Sequence, residues 1–358
     1  MYVFFLLLQI QFGRDMNQAT DCIIIGAGPA GLQAAGRLAQ AGIRTLVLEK
    51  DETAGGKLNR WDKLFPDFYE AAKLKAQLEE SCTGPNMELL TNAEAVRVEP
   101  EDGKWKVTLK DSRTFTATSI LLSTGFEPFD ATRKEEYGYG IYPDVFTSVE
   151  LEQMIGKGDI RTHEGNTPRS IAYIQCVGSR DEKTGNHYCS VNCCICAVKQ
   201  CIEVHQILPE VRQYCFYMDL RMTGQHFEER YREAQERHNV RFIRGRVSET
   251  AVSNNGQIQL KAEDTLLSRP VKMNVDMLVL MVGMEPSPTT RLFSTDMEIS
   301  DPYGFYLSTD HEAADNLTKY PGIFLAGSGK RPMAIPKTRK DADAAAWEIL
   351  RYLKNRMQ

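Results

Sequence analysis

The sequence has no apolar run long enough to cross a bilayer. Its longest, Tyr2 to Ile10, falls well short of the roughly 20 residues a spanning helix needs. It also lacks the basic start and small-residue cleavage site of a secretory leader, so export is not expected and a cytoplasmic protein is. Residues 1–16 read as an N-terminal extension. A misassigned start, with Met16 as the true first residue, is favoured over a short membrane-surface anchor. No basic stretch stands out as a nucleic-acid footprint, and 43 basic against 48 acidic residues leave a net charge of −5. Internal repeats and low-complexity segments are missing too. Apolar residues make up 42% and charged residues 25%, the balance of an ordinary globular chain, and 358 residues suffice for two domains with separate cores.

What is present begins with a βαβ unit. Asp21–Ile25 is a short apolar run bounded by glycine and reads as a buried strand. Ala30–Ala41 has helical spacing at Leu32, Ala35, Leu38 and Ala39, and Thr45–Glu49 is a second buried strand. Residues from Met87 to Lys110 alternate apolar and polar between turns, which predicts an antiparallel meander. Ser119–Ser123 is again a continuous strand. A second α/β region starts near Pro168, with strands at Ser170–Gln175, Gln213–Met218, Val240–Ile243 and Asp276–Val282. Helices are expected at Asn192–Leu208 and Phe227–Glu236, and another meander from Val247. Gly322–Ala326 and a final helix, about Asp341–Lys354, return to the first domain. The predicted fold is therefore α/β, with two Rossmann-like dinucleotide-binding domains, the second inserted in the first. The first covers 17–126 and 288–358, the second 127–287.

The nucleotide motif is Gly26-Ala27-Gly28-Pro29-Ala30-Gly31, directly after a strand and opening a helix. Gly26 permits the turn, Gly28 lets the backbone approach a pyrophosphate, and Gly31 allows helix and strand to pack closely. The helix N-terminus offers free N–H groups and the positive end of its dipole. Glu49, closing the second strand, is placed to accept hydrogen bonds from a ribose diol. Three further turns agree: Gly55-Gly56-Lys57, Thr124-Gly125 and Gly327-Ser328-Gly329. With the meander and the C-terminal return they favour FAD over NAD. The expected contacts are Gly26, Gly28, Pro29, Ala30, Gly31, Glu49, Lys50, Gly56, Lys57, Leu58, Val96, Thr124, Gly125, Gly327, Ser328 and Ile335. No Asp follows Gly327, where FAD proteins of this build usually carry one for the ribityl and pyrophosphate part, so that contact must be made differently. Lys57 and Lys330 are candidates to place positive charge near the phosphates or the flavin, weighed equally against ordinary surface lysines.

The second domain lacks its glycine motif. After the Ser170–Gln175 strand the chain reads Cys176-Val177-Gly178-Ser179-Arg180, so NAD has no glycine turn to support it. Cys189 follows a polar loop, and Cys193 and Cys194 open the next helix. Nine cysteines without a secretion signal point to a metal or to redox chemistry rather than to a disulfide framework. Cys189, Cys193 and Cys194 can form three corners of a site and Cys176 the fourth. A helix N-terminus is expected to lower the thiol pKa values. Four thiolates suit zinc or an iron–sulfur cluster. Adjacent cysteines crowd a single ion but fit a cubane, so 4Fe-4S is preferred, with Cys196 the best substitute ligand. Cys22, Cys201 and Cys215 read as core, Cys82 as structural, His205 as packed or surface, and Glu228–Arg237 as a solvated helix face.

These residues resemble the A subunits of the heterodisulfide reductases. The resemblance rests on Gln175-Cys176-Val177-Gly178-Ser179-Arg180-Asp181, Tyr188-Cys189-Ser190, Cys193-Cys194, Phe216–Arg221, Arg241–Arg246 and Val282-Gly283-Met284-Glu285-Pro286. It extends over nearly all of the chain from Asp21. It implies FAD and one 4Fe-4S cluster on a thioredoxin-reductase-like core, and assigns Cys176, Cys189, Cys193 and Cys194 as the ligands. The long methanogen form adds ferredoxin-like C-x2-C-x2-C-x3-C-P runs, which are missing here. The short form resembles the A subunit of the heterodisulfide-reductase-like complex of sulfur oxidisers, with the A subunit of the quinone-interacting oxidoreductase of sulfate reducers next. Implied partners are B- and C-like iron–sulfur subunits, a lipoate-binding protein and a second copy of the chain. The implied task is to pass electrons between those subunits and FAD, and onward to NAD or another acceptor. A stand-alone FAD-dependent dithiol–disulfide reductase and a scaffold holding FAD and zinc are the rival readings.

Overall fold

The computed structural model describes residues 20–356. The N-terminal extension and its start or anchor lie outside the described residues. The first α/β unit runs β1 (Thr20–Ile25), α1 (Pro29–Gln40) and β2 (Thr45–Leu48). A short hairpin, β3 (Lys63–Leu64) and β4 (Tyr69–Glu70), leads to α2 (Ala71–Ser81) and β5 (Met87–Leu90). The meander is β6 (Ala95–Glu101), β7 (Lys104–Leu109) and β8 (Thr114–Leu122). Then come β9 (Phe126–Pro128), β10 (Val145–Thr147) and α3 (Ser148–Lys157). The second unit continues with β11 (Ser170–Val177), α4 (Cys193–Ile207), β12 (Arg212–Tyr217), α5 (Phe227–Glu236) and β13 (Val240–Arg244). A second meander, β14 (Val247–Val252), β15 (Ile258–Asp264) and β16 (Arg269–Val275), precedes β17 (Met277–Val282) and β18 (Met284–Pro286). Last are α6 (Pro288–Asp296), β19 (Ile323–Leu325) and α7 (Ile335–Arg356).

Two main sheets result. One has the order β5-β2-β1-β8-β7-β6, with the C-terminal β19 parallel to β8. Its β5, β2, β1 and β8 are parallel; β8, β7 and β6 turn antiparallel. The other is wholly parallel, β10-β17-β11-β12-β13. The antiparallel ribbon β9–β18 joins the two where the chain passes between them. Buried strands such as Ile23–Ile25 and Leu278–Leu280 are apolar throughout because helices or meanders cover both faces. In the first sheet α1, α2 and α7 cover one face through Leu32, Leu38, Leu74 and Ile349. In the second, α3, α4 and α5 cover one face through Leu151, Val198 and Ala234, and the second meander covers the other.

Three helices escape apolar periodicity because they are short and partly polar, and two of them carry a start signal. In α3 the Thr147 hydroxyl and the Glu150 side chain satisfy each other's amides, a full capping box, and Gly158 ends the helix. In α6, Ser287 caps and Pro288 takes the first position. In α2 only Ala71, Leu74 and Leu78 are buried. The last helix starts at Ile335, six residues before the expected Asp341. Pro336 is tolerated in the first turn, where its missing N–H has no intrahelical partner to lose. Among the described residues no helix is long and apolar enough to cross a membrane.

Candidate functional site

A cleft of ≈ 1040 Å³ opens at the carboxyl ends of β1, β2 and β8, the crevice where open α/β sheets bind ligands. Twelve of the expected contacts line it: Gly26, Gly28, Pro29, Ala30, Glu49, Lys50, Gly56, Lys57, Thr124, Gly125, Ser328 and Ile335. Glu49 is buried, and its Oε2 accepts from the Ala27 amide at 2.8 Å while Oε1 accepts from the Asp51 amide at 3.0 Å. Thr124 joins a hydroxyl network with Thr290 and Tyr306 at 2.6 and 2.7 Å.

Four expected contacts stand elsewhere. Gly31 is a packing residue, since a Cβ there would meet the Gly26 carbonyl oxygen at 1.9 Å. Gly327 also packs, because a Cβ would meet that of Ala30 at 2.6 Å. Leu58 points into the core with α1 and α2. Val96 follows Ala93, Glu94 and Ala95, which form the wall where β6 begins. An acidic residue of α7 braces this turn without lining the cleft: Asp341 Oδ2 accepts from the Gly327 amide at 2.7 Å. Ser328 is then the side chain of this turn at the cleft.

The two candidate lysines part. Lys57 lines the cleft, where burial lowers its pKa against the pull of its ion-pair partner Glu127. Lys330 is neither a cleft residue nor a surface one. It is buried and held by Asp315 at 2.9 Å and Asp341 at 2.6 Å. Cleft residues absent from the expected set include Arg60, Trp61 and Phe126. Phe126 follows directly on Thr124-Gly125, and its ring stacks at 6.5 Å on Trp61.

A second cleft of ≈ 950 Å³ shares Lys57, Arg60, Trp61, Phe126, Met333 and Ile335 with the first. It runs on between α3 and α4, where Glu152, Cys196 and Lys199 line it. No sequence signal marks these residues as a cleft, because α3 and α4 meet only in the fold.

The cysteines gather at the carboxyl end of β11. Cys176 has a φ of +60°, left-handed for a non-glycine residue, beside a bulge between Ile174 and Val177. Cys176, Cys193 and Cys194 are buried and Cys189 is half-buried. Backbone amides donate to two sulfurs: Val191 to Cys189 at 3.3 Å and Arg221 to Cys194 at 3.4 Å. Arg180 is clamped by both Asp219 oxygens, at 2.5 and 3.0 Å, and its charge acts on Cys176. The thiols lie close enough to act on one another's charge, but not in a ligand arrangement. Among the described residues no group of three or more Cys, His, Asp or Glu is arranged to hold a metal ion. As thiols they turn to protein acceptors: Cys194 donates to Gln175 Oε1 at 3.3 Å and Cys193 to the Val282 carbonyl at 3.8 Å.

The expected lowering of thiol pKa at the helix N-terminus is overturned. Burial pushes Cys176 up to about 12, helped by the neighbouring Cys194 and opposed by Arg180. Burial also raises Cys193 and Cys194. Desolvation outweighs the helix end here. Cys22, Cys201 and Cys215 are fully buried core, and Cys82 donates to the Leu32 carbonyl at 3.2 Å. His205 packs edge-on against His238 at 5.0 Å. In α5 only Ala234 is buried.

The pyridine nucleotide-disulphide oxidoreductase family matches residues 20–342. The chain belongs to that family. It is thus an oxidoreductase, and the fold supports FAD as a cofactor. Within the family it is 32% identical to the iron-sulfur A subunit of the CoB–CoM heterodisulfide reductase of Methanocaldococcus jannaschii, over 91% of this chain and 63% of that one. It is 31% identical to the A subunit of the H2/formate:CoB-CoM heterodisulfide,ferredoxin reductase of Methanococcus maripaludis, over 91% and 63%. The chain therefore spans less than two thirds of these relatives, and the resemblance to heterodisulfide reductase A subunits is borne out over that shared part. The thioredoxin reductase of Lactococcus lactis superposes with a TM-score of 0.67 at 20% identity, covering 94% of this chain and 99% of that one. That of T. acidophilum gives 0.64 at 18%, with the same coverage. These two share the fold.

Proposed function

We propose that this chain is an electron-transfer subunit carrying FAD and a 4Fe-4S cluster, within a heterodisulfide-reductase-like complex of cytoplasmic sulfur oxidation. The observation that carries this reading is the end of β11. Where a second nucleotide turn belongs, Cys176 stands in a left-handed conformation among Cys189, Cys193 and Cys194. Residues 17–126 and 288–358 hold FAD in this reading, and 127–287 the cluster. The chemistry of the donors supports it: the amides of Val191 and Arg221 point at sulfur, as they would at thiolates, and Arg180 offsets negative charge, although the four thiols would have to turn to share one cluster. Such a cluster supplies one-electron transfer, which a flavin can gather in pairs. The chain's own part is orientation. Glu49 and Lys50 would meet the ribose and the α1 N-terminus the pyrophosphate, while Lys57 and Phe126 border the shared part of both clefts. B- and C-like iron–sulfur subunits, a lipoate-borne sulfur substrate and a second copy of the chain are the partners this reading implies. A protein of the quinone-interacting type would use the same two groups. A dithiol–disulfide reductase is favoured by one observation, Cys196 on the wall of the second cleft. Against it, Cys193 is buried and turned to the Val282 carbonyl.

The test is anaerobic purification with iron and flavin analysis. A brown protein with both is expected, and C193A should lose the iron and keep FAD. A yellow protein without iron sinks the reading. Zinc in place of iron would favour the scaffold, and a C193A protein that keeps its iron would show the ligand set to be wrong.

A further inference from the structure

Behind the second cleft lies a buried charge cluster that electron transfer alone does not use. Lys199 of α4 lies between two carboxylates, with Nζ 2.5 Å from Glu152 Oε1 of α3 and 2.8 Å from Glu203 Oε2 one turn along its own helix. All three are at most 4% exposed. Glu152 also accepts from the Gln200 amide nitrogen at 2.8 Å and from the Asp62 backbone amide at 3.2 Å. Glu203 is less well served. Its Oε1 has no hydrogen-bond partner, and the nearest charge is the Lys63 ammonium of β3 at 3.9 Å. Lys63 is 35% exposed and itself lies 3.9 Å from Asp62. The remaining titratable neighbour is Cys196 of α4, and Arg60 and Lys57 stand across the cleft.

Two buried carboxylates share one buried ammonium. An ionised oxygen left without a donor in such a place is costly, so the cluster is neutral only with one added proton. The unpartnered Glu203 Oε1 is where that proton has room. Burial raises the Glu203 pKa, against the opposing pull of Lys199 and Lys63. Lys199 and Glu152 are at the cleft wall; Glu203 is behind them.

We propose that Glu203 is a buried proton reservoir which, through Lys199, delivers a proton into the cleft when the flavin is reduced. This rests on FAD occupying the first cleft. Two-electron reduction of a flavin takes up at least one proton. The electrons come from a reduced iron–sulfur protein, or in the test from dithionite. Lys199 gives a proton to an acceptor in the cleft and regains one from Glu203, whose carboxyl turns so that the protonated oxygen replaces Oε2 against Nζ. Glu203 is then reloaded from water on the side of Lys63, so one proton enters for each pair of electrons. Glu152 keeps Lys199 charged and in place between deliveries.

The test uses the full-length flavin-loaded protein, reduced by dithionite in a stopped-flow instrument in water and in deuterium oxide. E203Q should bind FAD with an unchanged oxidised spectrum. Its flavin reduction should slow by roughly 10²-fold, the usual worth of a positioned general acid, with a larger solvent isotope effect. An E203Q protein that binds FAD and is reduced at the wild-type rate and isotope effect overturns the proposal. If E203Q does not fold, the wild type decides by infrared difference spectroscopy. A protonated carboxyl band, sensitive to deuteration, should change on reduction, and its absence overturns the proposal. A protein that binds no flavin refutes the reading of the cleft; a flavin-loaded protein failing these tests refutes the reservoir alone.

Discussion

The Glu49 carboxylate accepts a hydrogen bond from the Ala27 amide at 2.8 Å and so ties the end of β2 to the middle of the glycine turn. One buried side chain therefore both shapes the turn and lines the cleft proposed for FAD. Glu49→Ala removes the partner of a buried amide, a cost of about 1–3 kcal/mol before any ligand contact is counted. FAD affinity should fall at least tenfold, read by flavin fluorescence titration. Glu49→Gln keeps a carbonyl acceptor for Ala27 and should lose less. Equal affinity in the Ala variant and the wild type would contradict this role.

Gly31 never reaches the cleft, yet it should be intolerant of change. A Cβ at this position would meet the Gly26 carbonyl oxygen at 1.9 Å and the Ser123 hydroxyl at 2.9 Å. The first atom is backbone, so α1 must move off β1 to make room. Gly31→Ala should lower the Tm by several degrees and release FAD, whereas Gly→Ala in an ordinary helix interior would stabilise by about 1 kcal/mol. A thermal melt with and without FAD distinguishes the two.

The parts legible in the sequence are those whose information is local. The glycine turn, Glu49 and the cysteine spacing each follow from a few neighbouring residues, and all lie at the strand ends expected of them. The misses share a physical origin. Val96 does not line the cleft because the chain meets it through Ala93, Glu94 and Ala95, just before β6 turns away. The Cys176 bulge is hidden inside a strand buried on both faces. Thiol pKa values escape a sequence reading because helix position is local and burial is not. Asp341, 14 residues beyond the Gly327 it binds, and Glu152, 47 residues before Lys199, pair only after the chain has folded.

Lys199 gives a stability prediction independent of its part in proton movement. Lys199→Met leaves Glu152 and Glu203 buried without their ammonium, and breaking such a cluster costs about 3–5 kcal/mol. The sign with pH follows from Glu203, whose folded-state pKa burial already raises. A carboxyl with a raised folded pKa opposes folding once pH exceeds its unfolded value, and does so fully above the folded one. K199M should therefore be weakest at neutral and alkaline pH and recover towards roughly pH 5, as Glu203 takes up a proton. Urea midpoints at the two ends of that range measure it. A loss of stability that does not change with pH would mean that packing, not charge, is what Lys199 supplies.

Asp315 gives the opposite dependence. Burial alone would raise its pKa, but Arg331 and Lys330 hold it down to about 2. A carboxylate depressed in the folded state adds stability that is complete above its unfolded pKa and is lost as pH falls through the folded value. With partial solvent screening, that contribution is about 1–2 kcal/mol. Asp315→Asn should lose it at pH 7 and, having no carboxylate to titrate, should show a flatter stability profile between roughly pH 4 and 2. Because Lys330 keeps Asp341, and Asp341 keeps the Gly327 amide, the turn beside the cleft should survive the substitution. FAD affinity at pH 7 should then change little while the melting temperature falls. A parallel loss of flavin would show that Asp315 and Arg331 brace the turn directly.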